Sequence, residues 1–119
     1  MKGNCHETSL ARQIADHIHW PEMRIVICIV NENQKDVSSS QGMSQSVDSS
    51  SLIKYRANLV VPERIKRMEE AVKRKDFGIF AELTMMDSNQ FHAICLDTYP
   101  PIFYLDDTSR HIICMHSNQ

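Results

Sequence analysis

The longest apolar run in the chain is Ile25 to Val30, within the segment 24–30, which reads RIVICIV. A short unbroken run rich in β-branched residues is typical of a strand buried on both faces. The sequence therefore predicts one clear buried strand at 24–30, with Cys28 as a core residue. One strand cannot form a sheet, so we expect its partners to come from another chain or from sequence outside these residues.

Helical spacing of apolar residues accounts for most of the remaining chain. The expected helices cover residues 8–18, 52–60, 62–76, 77–98 and 109–116. Pro62 suits a first helical turn, Ser50 or Ser51 and Asp76 suit N-caps, and Asp107 or Thr108 suits the cap of the last helix. The stretch 99–105, which contains two consecutive prolines, predicts an extended link.

The segment 35–46 follows the predicted strand and begins a serine-rich stretch, with eight serines in residues 38–51. This composition is typical of a flexible surface linker. A second interpretation is an anion-binding loop, because serine hydroxyls and successive backbone amides bind anions, and Gly42 permits positive φ and close approach of a ligand. The residues alone leave both interpretations open.

Composition excludes several classes of function. The chain has 119 residues, of which 42% are apolar and 24% charged, as in ordinary globular proteins. A net charge of −2 provides no basic field for nucleic acid or an anionic membrane surface. The apolar run 25–30 is too short to span a bilayer, and residues 1–13 lack the apolar core of a secretory signal. We therefore expect a cytoplasmic protein with no nucleic-acid and no membrane partner.

The sequence offers few side chains in patterns typical of catalytic or metal-binding sites. The four cysteines have no zinc-ligand spacing, so we expect reduced core thiols and no metal site. Residues 87–92 form a polar insert in an apolar helix, which suits either an exposed helix face or a face towards a polar cleft. A further reading pairs His92 with Asp87 or Asp97 as a general base, although the sequence places no nucleophile.

Several long motifs resemble one enzyme family. They are KDVSSSQGM at 35–43, VVPERIKRMEEAVKRKDFGIFAELTMMDSNQFHAICLDTYPPIFYL at 60–105 and DTSRHII at 107–113. Together they are similar to diphosphomevalonate decarboxylases of the GHMP kinase superfamily, from about Ser9 to about Ile113. The resemblance implies an enzyme that uses ATP and Mg²⁺ to phosphorylate the tertiary hydroxyl of mevalonate 5-diphosphate. Loss of phosphate and carbon dioxide then yields isopentenyl diphosphate.

The resemblance also implies an architecture. The family has a two-lobed α+β fold and forms cytosolic homodimers. We therefore expect an α+β fragment that is mostly helical, with four to five helices and the buried strand at 24–30. Residues 1–48 would be the end of the N-terminal lobe, with a helix, the strand and the substrate loop, and residues 49–119 would begin the C-terminal helical lobe. Both lobes would be incomplete.

By the same resemblance, the serine-rich loop lines the active site between the lobes. Ser39 corresponds to a serine that contacts phosphate groups, Ser40 to a position that touches the diphosphomevalonate, and Met43 to one that packs against it. Gly42 belongs to the same expected substrate-binding set. This implication favours the anion-binding interpretation of the loop over the linker.

The sequence also departs from the family pattern. The family's glycine- and serine-rich ATP loop, its carboxylate-binding arginine and its acting aspartate in a "DAGPN"-like motif are not among these residues, and Asp106 stands where the family usually has asparagine. We therefore expect a fragment that is inactive by itself. The alternative is a non-catalytic, truncated or splice-derived helical interaction module that docks onto a complete subunit.

Overall fold

The computed structural model describes residues 11–30 and 36–117. Within these ranges the chain forms helices and no β-strand. A five-residue π-helical turn, Arg56–Val60, joins the second helix directly to the third. The α-helices are α1 Ser39–Ser49, α2 Leu52–Tyr55, α3 Val61–Arg74, α4 Phe77–Asp97 and α5 Asp107–Ser117.

The predicted buried strand is wrong, and with it the α+β class. Residues 24–30 have no regular secondary structure and form no ladder with any other described residue. The isoleucines and Val26 of this run are 76% to 86% exposed, Val30 is 39% exposed, and Cys28 is exposed as well. A strand is stable only when a neighbouring strand satisfies its amides and carbonyls, and the described residues supply none.

The helix predicted at 8–18 is also wrong where the structure describes it, from residue 11 onward. The Asp16 carboxylate accepts a hydrogen bond from the Ile18 amide at 3.2 Å, and the Asp16 carbonyl accepts one from the His19 amide. Such a local side-chain contact gives the backbone an alternative to a helix. Residues 8–10 lie outside the described part.

The segment 11–20 lies across the helices. His19 Nε2 is 2.9 Å from the Val72 carbonyl of α3, and the Trp20 ring meets Phe80 of α4 edge-on at 6.0 Å. Arg12 pairs with Glu69 on α3. The segment is therefore attached by a few side-chain contacts rather than by secondary structure.

The two predicted helices around residues 62–76 and 77–98 are confirmed as α3 and α4, and they form a hairpin. Pro62 lies in the first turn of α3, and Lys75 ends that helix with a left-handed φ of 55°. Asp76 then caps α4, because its carboxylate accepts from the Ile79 amide at 3.0 Å. The two-residue link lets the helices pack together, with Ala71 and Leu83 buried between them.

The link after α4 returns along that helix. Its Tyr99–Pro100 peptide bond is cis, and the Ile102 amide donates to the Cys95 carbonyl at 2.9 Å. Ile102 and Cys95 are both buried, so the predicted core role is confirmed for Cys95, whereas it is wrong for Cys114, which is exposed. Asp106 caps α5 by accepting from the Ser109 amide at 2.7 Å, one residue before the predicted caps. None of the helices in the described ranges is long and apolar enough to span a bilayer.

Candidate anion site at the start of helix α1

The predicted serine-rich loop is the beginning of a helix. Ser38 has extended backbone angles, and its hydroxyl accepts a hydrogen bond from the Gln41 amide at 3.3 Å. The Gly42 amide donates to the Ser38 carbonyl at 2.9 Å, which is the first intrahelical bond. The linker and the loop nest are therefore wrong as descriptions of the backbone from residue 39. The expected positive φ at Gly42 is also wrong, because helical angles replace it.

Helical spacing sorts the expected site residues onto different faces of α1. Ser39, Gly42 and Met43 line one cleft of about 450 Å³, together with Ser46 one turn further on. These positions follow the i, i+3, i+4, i+7 pattern of a single helix face. Ser40 is exposed and is not among the residues that line the cleft, because successive helical residues point about 100° apart.

The start of α1 lies very close to the link after α4. A Cβ atom added to Gly42 would lie 2.5 Å from the Tyr104 hydroxyl oxygen and 3.3 Å from Cδ1 of Ile102. Gly42 is buried in consequence. Glycine is thus required here by close packing rather than by backbone conformation.

The later serines of the stretch hold α1 and α2 against the end of α4. The hydroxyls of Ser46 and Thr98 lie 2.7 Å apart in a buried contact, and the Ser49 hydroxyl accepts from the Tyr99 amide at 2.8 Å. Ser50 donates to the Asp97 carboxylate at 2.7 Å, which holds the pKa of that carboxyl below its ordinary value. Serine is used here because its short side chain allows close approach and supplies a hydrogen bond.

Arg56 lines the same cleft from its opposite side, and sequence reasoning missed it. Its two terminal nitrogens bind the Asp87 carboxylate in bidentate fashion at 2.7 and 2.9 Å, and Arg64 reaches the same carboxylate at 2.9 Å. The Gln90 side-chain oxygen accepts from both arginines at 2.7 and 3.1 Å. We call Arg56, Arg64, Asp87 and Gln90 the arginine network.

The arginine network explains the polar insert in α4. Hydrogen bonding from Arg56, the largest cause, and from Arg64 holds the pKa of Asp87 below its ordinary value. The network carries one net positive charge, and its arginine side chains are largely shielded from solvent. The polar insert at 87–90 was a usable signal, because a partly buried carboxylate within an apolar helix is stabilised by a cationic partner.

The structure does not support the proposed general-base pair. Asp87 is engaged by the two arginines, and Asp97 is engaged by Ser50 and by the Leu52 amide at 3.2 Å. His92 makes an edge contact with Phe91, and burial lowers its pKa. The Asp97 carboxylate therefore binds residues at the start of α2, and the Asp87 carboxylate binds Arg56 of the π-helical turn, rather than His92.

A second cleft, of about 740 Å³, adjoins the arginine network on its other side. Arg56, Arg64 and Asp87 line it together with Ile65 and Phe91. Arg56 thus forms part of the wall between the two clefts. In the described ranges no group of three or more His, Cys, Asp or Glu side chains is placed to hold a metal ion.

Comparison with known proteins establishes the family. The sequence model of one protein family, the mevalonate 5-diphosphate decarboxylase C-terminal domain, matches residues 25–118. The chain belongs to the diphosphomevalonate decarboxylase family. It is 55% identical over 107 residues to a diphosphomevalonate decarboxylase of Danio rerio, covering 90% of this chain and 27% of that protein. The corresponding protein of Rattus norvegicus is 55% identical over 105 residues, which cover 88% of this chain and 26% of the relative.

Solved structures of the family have the same arrangement. A crystal structure of mevalonate 5-diphosphate decarboxylase superposes with a TM-score of 0.82 at 48% identity, over 95% of this chain and 29% of that one. A structure of MDDEF in complex with MVAPP superposes with a TM-score of 0.67 at 29% identity, over 73% of this chain and 27% of that one. The chain thus spans about a quarter to a third of the length of the decarboxylases it matches.

Proposed function

We propose that these residues form part of an ATP-dependent decarboxylase that converts mevalonate 5-diphosphate to isopentenyl diphosphate. The match of residues 25–118 to the C-terminal domain of that enzyme carries the proposal. It is supported by the decarboxylases of Danio rerio and Rattus norvegicus. The complex of MDDEF with MVAPP, an abbreviation we take for mevalonate diphosphate, supports the choice of substrate.

Within this enzyme, the start of α1 would receive a phosphate group. The first amides of a helix have no intrahelical acceptor and carry the positive end of the helix dipole. In α1 the Gln41 amide already donates to the Ser38 hydroxyl, so the amides of Ser39 and Ser40 are the ones proposed to bind the phosphate. With the hydroxyls of Ser39 and Ser40 beside them, they can donate to phosphoryl oxygens. Met43, which is 68% exposed, offers an apolar surface to the carbon chain of the substrate. Gly42 contributes by letting α1 lie against Tyr104 rather than by approaching the ligand.

The cofactors of the proposed reaction are ATP and Mg²⁺. ATP supplies the phosphoryl group that turns the tertiary hydroxyl into a leaving group before carbon dioxide is lost. The described residues provide no cluster for Mg²⁺, so we assign none of them to the metal. The part proposed for this chain is to bind and orient the anionic substrate, which is the main protein contribution to phosphoryl transfer.

The 119-residue chain by itself is expected to have no decarboxylase activity. The ATP loop, the arginine and the aspartate that the family resemblance implies are not among its residues. Phosphate release from ATP in the presence of mevalonate 5-diphosphate measures this directly. Turnover by the purified chain, above a control without mevalonate 5-diphosphate, would contradict the expectation.

A chimera tests the positive part of the proposal. The matching 107 residues of the Danio rerio decarboxylase are replaced by those of this chain, which are 55% identical. We expect turnover, and Ser39→Ala should raise KM for mevalonate 5-diphosphate about tenfold or more, since hydrogen bonds to charged groups contribute roughly 1.5–3 kcal/mol. Ser44→Ala, at an exposed position of the same helix, is the matched control. An inactive chimera that is folded would refute the proposed function.

One observation favours a second candidate function, a non-catalytic module that docks onto a complete subunit. Residues 25–29 present a row of exposed apolar side chains on an unpaired backbone in the described chain, and such edges join other strands. Co-purification of the 119-residue chain with a complete decarboxylase subunit would support this function. A soluble monomer with a sharp thermal transition would count against it. The family's homodimer and cytoplasmic location stay predictions for this protein, as does the lobe boundary at residue 48.

A further inference from the structure

Tyr104 determines how closely α1 can approach the rest of the molecule. Its hydroxyl oxygen occupies the space that a side chain at position 42 would need, because it lies 2.5 Å from the point where a Cβ atom would stand. Its ring stacks on Phe91 of α4, with centroids 6.5 Å apart and planes at 14°. Tyr104, Gly42 and Ser39 also line the same cleft. The tyrosine therefore links the start of α1 to the middle of α4.

The two halves of α1 are held in different ways. The C-terminal half is fixed by hydrogen bonds, from Ser46 to Thr98 at 2.7 Å and from the Tyr99 amide to Ser49 at 2.8 Å. The N-terminal half, which carries Ser39 and Met43, is held by the packing of Gly42 against Tyr104 and Ile102. A shift at Gly42 would therefore tilt the anion-facing end of α1 while the other end stays in place.

We infer that Tyr104 is a positioning residue, which acts through Gly42 to fix the position and orientation of the first turn of α1 relative to α4. This inference rests on the proposed function, because Tyr104 would align the same substrate-binding residues. The exact position of a substrate-binding group affects catalysis strongly, because a displacement of about 1 Å can lower the rate on the order of 100-fold. Tyr104 does not need to touch the substrate to have this effect.

A double-mutant cycle in the Danio rerio chimera tests the inference. Gly42→Ala forces a Cβ against the Tyr104 hydroxyl and should raise KM for mevalonate 5-diphosphate roughly tenfold. Tyr104→Phe removes the hydroxyl, after which the nearest ring atom lies 3.6 Å from the new Cβ, an ordinary contact. Ile102 Cδ1 remains 3.3 Å from that Cβ, and a shift of a few tenths of an ångström at the end of its side chain relieves the contact. The double variant should therefore recover a KM within about threefold of that of the Tyr104→Phe variant.

Gly78→Ala is the matched control. Gly78 lies in the first turn of α4, and the one atom near the place of an added Cβ is an Asp76 carboxylate oxygen at 3.5 Å. KM should therefore not change in this variant. A purely structural role of Tyr104 would lower the amount of folded enzyme, and hence the apparent kcat, and would leave KM unchanged. A KM effect that the second substitution reverses thus identifies positioning.

The packing is measured separately in the 119-residue chain, by hydrogen exchange of the amides of residues 43–45, which in an α-helix donate to the carbonyls of residues 39–41. Gly42→Ala should accelerate exchange there, and Tyr104→Phe should restore protection. If Gly42→Ala leaves both KM and exchange unchanged, or if Tyr104→Phe rescues neither, the inference is overturned. A folded chimera without turnover instead refutes the proposed function, whatever the exchange shows, so the two failures are distinguishable.

Discussion

Helix α1 and the segment 24–30 lie close together in the sequence and differ in both composition and environment. The segment is an unbroken apolar run, yet Ile27 is 80% exposed. Helix α1 has five serines in eleven residues, yet Gly42 and Ser46 are buried. Burial here follows the presence of a complementary partner: α1 finds Thr98 and Tyr104 in the same chain, whereas the described residues offer 24–30 no strand to pair with.

The largest expected difference between these two environments comes from truncating the same residue type in each. Ile94 on α4 is 5% exposed and Ile27 is 80% exposed. Ile94→Ala should lower the free energy of unfolding by about 2–5 kcal/mol, because it removes buried contacts and leaves a cavity. Ile27→Ala should change it by less than about 0.5 kcal/mol. Urea unfolding followed by circular dichroism measures both.

This pair of variants tests whether the two regions differ in burial in solution. If Ile27→Ala is as destabilising as Ile94→Ala, the segment is buried in the folded chain in solution, through self-association or through contacts within the chain. Repeating the unfolding at several protein concentrations separates these two cases, because only self-association makes the midpoint depend on concentration.

Thiol labelling gives a second contrast between the same regions. Cys28 in the segment 24–30 is exposed, whereas Cys95 on α4 is buried, and burial raises the pKa of its thiol. Since the thiolate is the reactive form, both factors slow Cys95. Cys28 should react at least about 100-fold faster, which corresponds to a local opening free energy of about 3 kcal/mol at Cys95.

Mass spectrometry of peptides from the chain labelled with iodoacetamide measures both rates. Cys114 on α5 is exposed and serves as an internal control that should label at a rate close to that of Cys28. Equal rates for Cys28 and Cys95 in the folded chain would show that the helical part opens freely, and would remove the contrast between the regions.

Acid should weaken the helical part specifically. The pKa of Asp87 is held below its ordinary value of 3.8, chiefly by hydrogen bonding from Arg56. A lowered folded-state pKa stabilises the fold above the unfolded pKa, and that stabilisation is lost as the pH falls from about 3.8 through the folded pKa. The difference in unfolding free energy between the wild type and Asp87→Asn should therefore shrink in this range.

Urea titrations of both chains at a series of pH values measure that difference. Asp97 and Asp106 also have lowered pKa values, so the comparison with Asp87→Asn is needed to isolate one carboxylate. The segment 24–30 has a single charged residue, Arg24, which donates to the Met23 carbonyl at 2.9 Å and has no carboxylate partner in the described ranges. A difference that stays constant with pH would mean that the arginine network does not stabilise the folded chain.

The sequence predicted those features that depend on local chemistry. Helices α3 and α4 followed from Pro62, the Asp76 cap and a regular apolar stripe, because each of these acts over one or a few helical turns. The buried Cys95 followed from the same periodicity. The strand at 24–30 failed, because a strand depends on partners that its own residues cannot specify.

The conformation of the expected site residues was not predicted, and their role in binding substrate stays a prediction. Ser39, Gly42 and Met43 do line one cleft, but on a helix rather than on a loop. Low helix propensity and eight clustered serines favoured a linker, and tertiary contacts to residues 98–104 overrode that preference. Arg56 and Tyr104 were missed because Asp87 lies 31 residues from Arg56, and Gly42 lies 62 residues from Tyr104 (104 − 42), too far for a local pattern to relate them.

The smallest expected effect tests whether the buried serines stabilise α1. Ser46→Ala removes the 2.7 Å contact with Thr98, whose hydroxyl still donates to the Ile94 carbonyl at 2.8 Å. Because Thr98 keeps one hydrogen bond, the loss should be about 0.5–1.5 kcal/mol, the contribution of a single hydrogen bond. Ser44→Ala, exposed on the same helix, should change stability by less than about 0.5 kcal/mol. Urea unfolding measures the free energy of unfolding of both variants. Equal losses would indicate that α1 does not pack against α4 in solution. Its serines would then behave as a solvated linker.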